Sequence, residues 1–302
     1  PNDLRVSSTA HTSNHCIFFL FHHTAIFQEK FQPVGLMILG MLISEGAKMS
    51  KSKGNVIPLA KIAEKYSADL FRLYIVSTAD YDTVLDWREA EVKSLEKKLE
   101  KFDQIVEETI KSPQSEDLKE MDLYLINKFW MRFNAAADAM ENYRFRDAII
   151  ELFYNFLNDI NYYEKREIPE RARMVLKSIL PDWLKSLAPF IPHTCEEYWH
   201  SLGKNTFISL EKFSEKKEIN KKIIEEVDYV ENVLADIKNI LDVLGIAPKK
   251  IYIYTAGDRT RKLVELAKKD KNLAFKEAKG KEEINILKQV ISQRLFENCN
   301  IN

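Results

Sequence analysis

The stretch Lys48-Met49-Ser50-Lys51-Ser52, continued by Lys53-Gly54-Asn55, holds residue types at a spacing that could do chemistry. Three lysines within six residues repel one another, so a fold gathers them only where a polyanion offsets the repulsion or where the loop stays in water. Ser50 and Ser52 offer hydroxyls to phosphate oxygens, Gly54 lets the backbone approach closely, and the following helix presents the positive end of its dipole. The phosphates of a nucleotide suit such a cradle; a solvated charged loop is the plain alternative. Elsewhere the candidates are weaker. His22 and His23 are adjacent, fall on different faces of a helix and read as core or surface residues rather than ligands, and His193 and Cys195 sit where Pro192 starts a helix, where packing outweighs metal binding. No His/Cys/Asp/Glu cluster has metal-ligand spacing, and no tightly bound metal is expected.

Elements of several kinds must position that loop. Leu4 and Val6 read as a strand whose partner is expected upstream or on another chain. Residues 16–27 are long enough for a buried helix, and 34–43 read as a buried strand or hairpin punctuated by Gly35 and Gly40. After the loop, Leu59, Ile62, Ala63, Tyr66, Leu70 and Leu73 space one helix over 58–76. Beyond Trp87 the pattern becomes amphipathic helices over 92–110, 119–142, 145–164 and 170–200, the last interrupted by Pro181, Pro189 and Pro192, which together make a bundle. A connection over 204–222 leads to a helix that Gly245 and Pro248 stop. The segment 249–256, KKIYIYTA, alternates as a half-buried strand before helices near 258–270 and 281–296, a small α+β unit whose sheet is incomplete.

The chain has 302 residues, 45% hydrophobic and 30% charged, which suits about two globular domains and excludes a wholly disordered chain. Lys and Arg number 45 against 46 Asp and Glu, so overall charge gives no argument for a polyanionic partner. From Lys249 onward, however, 13 basic and 7 acidic residues give +6, against −7 for residues 1–248. Cys16, Cys195 and Cys299 are widely spaced and odd in number, as expected of reduced thiols in a cytosolic protein. No run reaches the roughly 18 apolar residues of a membrane span. The first ten residues lack a signal peptide's features and an initiating Met, and a fragment is expected.

KMSKS followed by GNV resembles the second signature of class I aminoacyl-tRNA synthetases. PNDLRVS, Asn14-His15, the F-x-x-F-H-H of 18–23, SEGAKMSKSKGNVI, SADLFRLYIVS and LDWREAEV are similar, in order and spacing, to the leucyl-tRNA synthetases of the archaeal/eukaryotic type. LAPFIPHTCEEYW at 187–199 resembles the bundle motif of the isoleucyl, valyl and leucyl subgroup, and PKKIYIYTA the start of the archaeal leucyl C-terminal domain. The resemblance implies a mostly α chain with α/β ends. Residues 1–88 would be the C-terminal part of a Rossmann-type catalytic domain, 89–222 an anticodon-binding-type helical bundle, and 223–302 a long helix with a truncated α+β tRNA-binding domain.

The same resemblance implies ATP-dependent ligation of leucine to tRNA(Leu), with Mg2+ accompanying ATP. Lys48 and Lys51 are then the catalytic residues, and Lys48, Met49, Ser50, Lys51, Ser52 and His15 contact ATP. Lys249 and Lys250, opening the basic tail, are the candidates for tRNA phosphates; Tyr252 and Tyr254 are offered for base stacking, and their alternation with Ile equally fits the exposed face of a strand. Arg132, Arg144 and Arg146 fit tRNA contacts and solvated helix faces about equally.

One motif departs from the family. Its strand-end G-x-D-x-x-x-x-H, which holds the ribose, reads Ser8 to His15 here, with Ser8 for Gly and Ala10 for Asp. Two lost contacts of about 1–3 kcal/mol each weaken adenylate binding by roughly one to four decades. The first signature, leucine pocket and editing domain of the family are absent from this sequence. Two alternatives are therefore an inactive synthetase-like tRNA-binding protein and the C-terminal subunit of a split synthetase completed by a separate N-terminal half.

Overall fold

The computed structural model describes residues 3–50, 52, 54–56, 58–245, 248, 250–251 and 257–292. The chain is mostly helical and divides into two compact units, Pro1–Leu234 and Ala235–Asn302.

In the first unit, β1 (Leu4–Ser8) pairs in parallel with β2 (Gly35–Leu39), in the register Leu4↔Gly35 to Ser8↔Leu39. The expectation that the partner of β1 lies upstream or on another chain is thus corrected: it lies 31 residues downstream, beyond the crossover helix α1 (Ile17–Ile26) that parallel pairing requires. The expectation of a buried helix over 16–27 is met in its helicity but not in its burial. No residue of α1 is buried, and Phe21 is 70% exposed.

Residues 34–43 divide between two sheets. β3 (Leu42–Ser44) leaves β2 and pairs antiparallel with β4 (Ala47–Lys48) and parallel with β5 (Leu85–Trp87). Gly40 marks the crossing, where a Cβ would stand 1.6 Å from the Thr83 carbonyl oxygen, a space only glycine permits.

The single helix expected over 58–76 is two, α2 (Leu59–Tyr66) and α3 (Ala68–Thr78). Ser67 separates them at φ 77°, ψ 155°, and its side chain caps α3 by accepting Leu70 N–H.

The bundle follows as α4 (Glu89–Lys111), α5 (Glu120–Glu141), α6 (Phe145–Ile149), α7 (Phe156–Glu164), α8 (Pro169–Leu176), α9 (Leu180–Leu187) and α10 (Pro192–Ser201). Pro169, Pro181 and Pro192 stand in first turns, where a missing N–H costs nothing, so Pro181 and Pro192 start helices, while Pro189 lies in the turn between α9 and α10. A π-helical turn, Ile150–Asn155, joins α6 to α7, and its Leu152 carbonyl accepts Trp183 Nε1–H at 2.9 Å. Trp183 is fully buried and meets Phe102 and Phe156 edge-on at 5.0 and 4.9 Å. Cys195 lies in this core, and Cys16 is buried as well.

α11 (Lys221–Leu244) runs across the boundary between the units. The second unit contains α12 (Asp258–Lys269), α13 (Lys271–Glu277) and α14 (Lys281–Ser292), packed on Leu263, Ala267, Ala274 and Leu287. The strand expected over 249–256 falls mostly on residues outside those described, as do Tyr252, Tyr254 and Cys299.

Candidate functional site

The lysine-bearing stretch starts on a hairpin. Two residues join β3 to β4, Glu45 (φ 49°) and Gly46 (φ 75°), the pair of left-handed conformations that a type I′ turn requires. The Glu45 carboxylate accepts Glu89 N–H at 3.0 Å, in the first turn of α4. Gly46 N–H lies 3.0 and 3.1 Å from the two carboxylate oxygens of Asp86, which also accepts Arg88 Nε at 2.9 Å. These donors, Gly46 foremost, hold the Asp86 carboxyl below its ordinary range. Glu89 accepts Lys65 Nζ at 2.7 Å and the Tyr66 hydroxyl, and with Glu89 as the main cause the Lys65 ammonium is pushed up to about 12. The base of the hairpin is therefore tied to β5 and α4, and α4 to α2, by charge-assisted hydrogen bonds, the stronger kind.

Past β4 the loop is shaped by Asn55. Its Oδ1 accepts Ser50 N–H at 2.8 Å and its Nδ2 donates to the Lys48 carbonyl at 3.2 Å, closing the backbone over Lys48 to Ser50. Gly54, at φ 69°, makes the return possible. The Ser50 and Ser52 hydroxyls are 2.7 Å apart, one donating to the other. Lys48 is exposed, and among the described residues no carboxylate pairs with its ammonium. Met49 is half-buried beside it. Lys51 and Lys249 lie outside the described residues; Lys250 is described, exposed and outside any helix or strand.

His15 follows β1 in a π-helical turn (Thr12–Cys16). Its Nε2 accepts Arg5 Nη2 at 2.7 Å, and the Arg5 guanidinium also stands 5.4 Å from the centre of the Phe19 ring. Among the described residues no hydrogen bond or ion pair joins His15 to the loop. His22 and His23 turn back onto their own helix, each with Nδ1 at a carbonyl, Phe18 at 2.7 Å and Phe19 at 3.2 Å. Among the described residues no group of three or more His, Cys, Asp or Glu could hold a metal ion.

Arg132 is corrected as a candidate for tRNA phosphates. Its guanidinium donates inward to Asp159 at 2.9 Å and to Glu151 at 2.9 Å. Arg144 pairs with its neighbour Asp147 at 3.0 Å.

Sequence reading assigned no role to Asn55 or Asp86. The Asn55 clamp had a local signal, an amide side chain five residues beyond the Ser50 it closes on. Asp86 had none, because its partner Gly46 is 40 residues away.

Comparison with known proteins agrees with this arrangement. Residues 8–105 match a family described as tRNA synthetases class I (M), and residues 122–253 match the anticodon-binding domain of tRNA ligase. The leucine–tRNA ligase of Staphylothermus marinus is 45% identical over 277 residues, 89% of this chain and 28% of that protein. That of Pyrococcus furiosus is 37% identical over 98% of this chain and 33% of its own length. The matched domains are those of class I tRNA synthetases, and most of the chain is similar to leucine–tRNA ligases. It spans about a third or less of the length of these relatives. The structure of an Agrobacterium radiobacter K84 agnB2 LeuRS, in a ternary complex with tRNA and LeuAMS, shares the fold with a TM-score of 0.57 and 22% identity, over 84% of this chain and 36% of that one. Among the described residues no helix is long and apolar enough to cross a membrane.

Proposed function

We propose that the chain is the loop-and-bundle portion of a leucine–tRNA ligase, which joins leucine to tRNA(Leu) through leucyl-adenylate formed from ATP. The observation that carries this reading is the hairpin-borne loop, whose Lys48 ammonium pairs with no carboxylate among the described residues and whose backbone is closed by Asn55, the form a ligand for phosphates needs.

In this reading residues 1–88 belong to a Rossmann-type catalytic domain, 89–222 form the anticodon-binding bundle, and 223–302 begin a C-terminal tRNA-binding domain. The leucine carboxylate attacks the α-phosphate of ATP, the bond to pyrophosphate breaks, and negative charge grows on the bridging and non-bridging oxygens. Lys48 and Lys51 meet that charge. Such donors act more on the transition state than on the bound substrate. Met49, Ser50 and Ser52 complete the ATP contact, and His15, with Nε2 engaged by Arg5, presents the rest of its ring to the nucleotide. Mg2+ arrives with ATP, and no resident metal is assigned. The bundle meets tRNA by shape, with Lys249 and Lys250 at its phosphates, in a cytosolic enzyme.

The first signature, the leucine pocket and the editing domain come from another part of the enzyme, on the same polypeptide or as a separate N-terminal half. The apolar α1, with no residue buried, is a surface for that part to cover. A second reading, an inactive tRNA-binding protein, is favoured by Ser8 and Ala10, which replace the residues that hold the ribose in the family.

The test uses the completed enzyme, the chain joined to or mixed with the catalytic half of a leucine–tRNA ligase. Lys48→Ala and Lys51→Ala are each expected to lower leucine-dependent ATP–pyrophosphate exchange by about 10²–10³-fold, the loss typical of a removed oxyanion-type donor, while tRNA affinity changes less than about twofold. Equal losses in exchange and tRNA binding remove the assigned roles. Absence of exchange in the unaltered completed enzyme, with tRNA binding retained, favours the second reading.

A further inference from the structure

Two of the sequence motifs, SADLFRLY at 67–74 and LAPFIPHTCEEYW at 187–199, have no part in the chemistry of the loop, and in the folded chain they meet each other. Asp69 and Arg72 are three residues apart on α3 and so share a face, yet among the described residues no ion pair joins them. Each is spent on a helix terminus instead. Asp69 is 3% exposed, and its Oδ2 accepts Thr194 N–H at 2.6 Å in the first turn of α10. Arg72 donates from Nε to the Phe190 carbonyl at 3.1 Å and from Nη2 to the Pro189 carbonyl at 2.7 Å, just past the end of α9. The carboxylate thus sits at the positive end of one helix dipole and the guanidinium beside the carbonyls that follow the other.

On its other side α3 holds the base of the lysine loop. The Tyr74 hydroxyl donates to the Asp86 carbonyl at 2.8 Å and accepts Arg88 N–H at 3.1 Å, and its ring packs edge-on against Trp87 at 5.0 Å. Asp86 is the residue whose carboxylate holds the Gly46 turn. A short run of directional contacts therefore leads from the hairpin through β5 and α3 to the α9–α10 corner, all within the first unit. Stability alone is a poor account of this corner. Asp69 Oδ1 is also buried and has no hydrogen-bond donor among the described residues, an expensive arrangement where an apolar contact would hold two helices together.

We propose that Asp69 and Arg72 are positioning residues that fix the register of the lysine loop against the α9–α10 corner of the bundle, so that tRNA seated on the bundle sets where the loop meets the phosphates of ATP. This rests on the function proposed above, which leucine-dependent exchange by the unaltered completed enzyme tests separately. The physical warrant is a contiguous set of fixed contacts between the two sites, and coupling is what the experiment must demonstrate.

In the completed enzyme, D69A, D69N, R72A and R72K are compared by active-site titration, by tRNA-free exchange, and by aminoacylation rate per titrated site. D69A and R72A are expected to lower the aminoacylation rate per site tenfold or more, with tRNA-free exchange per site within threefold of the parent. D69N, whose amide oxygen still accepts Thr194 N–H, is expected to stay within threefold in both assays. R72K, which reaches one carbonyl of the two, is expected to fall between R72A and the parent; Arg72 is exposed, so this variant keeps its fold should D69A fail to. A lower titrated fraction with an unchanged rate per site would make the corner a structural strut and overturn the proposal. So would equal losses in exchange and aminoacylation, or a D69N as slow as D69A.

Discussion

Asp122 shows how a single carboxylate can organise the bundle. It is fully buried at the start of α5, where it accepts Lys119 N–H at 2.7 Å, Arg171 Nε at 3.1 Å and the Tyr163 hydroxyl. Burial pushes its carboxyl up, but Arg171, Tyr163 and the Lys119 N–H together hold it below the ordinary aspartate value. The stability this contributes is present above the unfolded-state value and is lost as pH falls from there through the lower native one. Asp122→Ala leaves the Arg171 guanidinium without its main partner, at an expected cost of about 3 kcal/mol. Urea midpoints measured across the acid range check both points. Asp122→Asn should flatten the acid limb of the curve, and an unchanged limb would mean that another carboxylate controls it. None of this was visible in the sequence, because Asp122 and Arg171 lie 49 residues apart and meet only when α5 and α8 pack.

At the scale of elements, the junction of α2 and α3 is where periodicity misled. Tyr66, Leu70 and Leu73 continue the helical stripe straight through Ser67, because both helices turn their apolar residues to the same core. The chain breaks nonetheless, with Ser67 in a region of φ and ψ that is nearly exclusive to glycine, at a strain of roughly 1–3 kcal/mol. Its hydroxyl, accepting Leu70 N–H at 3.2 Å, offsets part of that strain. Two substitutions separate the effects. Ser67→Ala keeps the strain and loses the cap, and should destabilise by about 1 kcal/mol. Ser67→Gly relieves the strain and should raise the thermal midpoint, since glycine at a cap costs only a few tenths of a kcal/mol. A Ser67→Gly variant that melts as low as Ser67→Ala would show that the conformation carries no strain. The sequence marks Pro181, Pro189 and Pro192 as interruptions of one helix; in the structure Pro181 and Pro192 start α9 and α10, and Pro189 lies in the turn between them.

For the whole molecule the question is what these 302 residues do alone. The first signature and the leucine pocket of the family are not in the sequence, whereas the bundle folds on a large aromatic core and the basic tail is present. Binding should therefore outlast catalysis. The isolated chain is expected to form no detectable leucyl-adenylate and to bind tRNA weakly, with affinity falling as salt rises because counterion release supplies much of it. Residues 249–302, carrying the +6, should contribute most of the slope. Anisotropy titrations at several salt concentrations, with and without that tail, measure it. A slope unchanged by the deletion refutes the assignment of Lys249 and Lys250.

By itself the sequence determined the family, the lysine loop and the helical stripes, because these are local: a motif is a short string, and an amphipathic face is a repeat of three and four residues. Pairings across long separations were decided only in the tertiary structure. β1 found β2 across a crossover, Gly46 found Asp86, Arg132 turned inward to Asp159, and Asp69 and Arg72 found the corner of α9 and α10. Each joins a donor to an acceptor that no local pattern specifies, because which buried polar groups satisfy one another depends on how the elements pack and on the cost of leaving any of them unpaired.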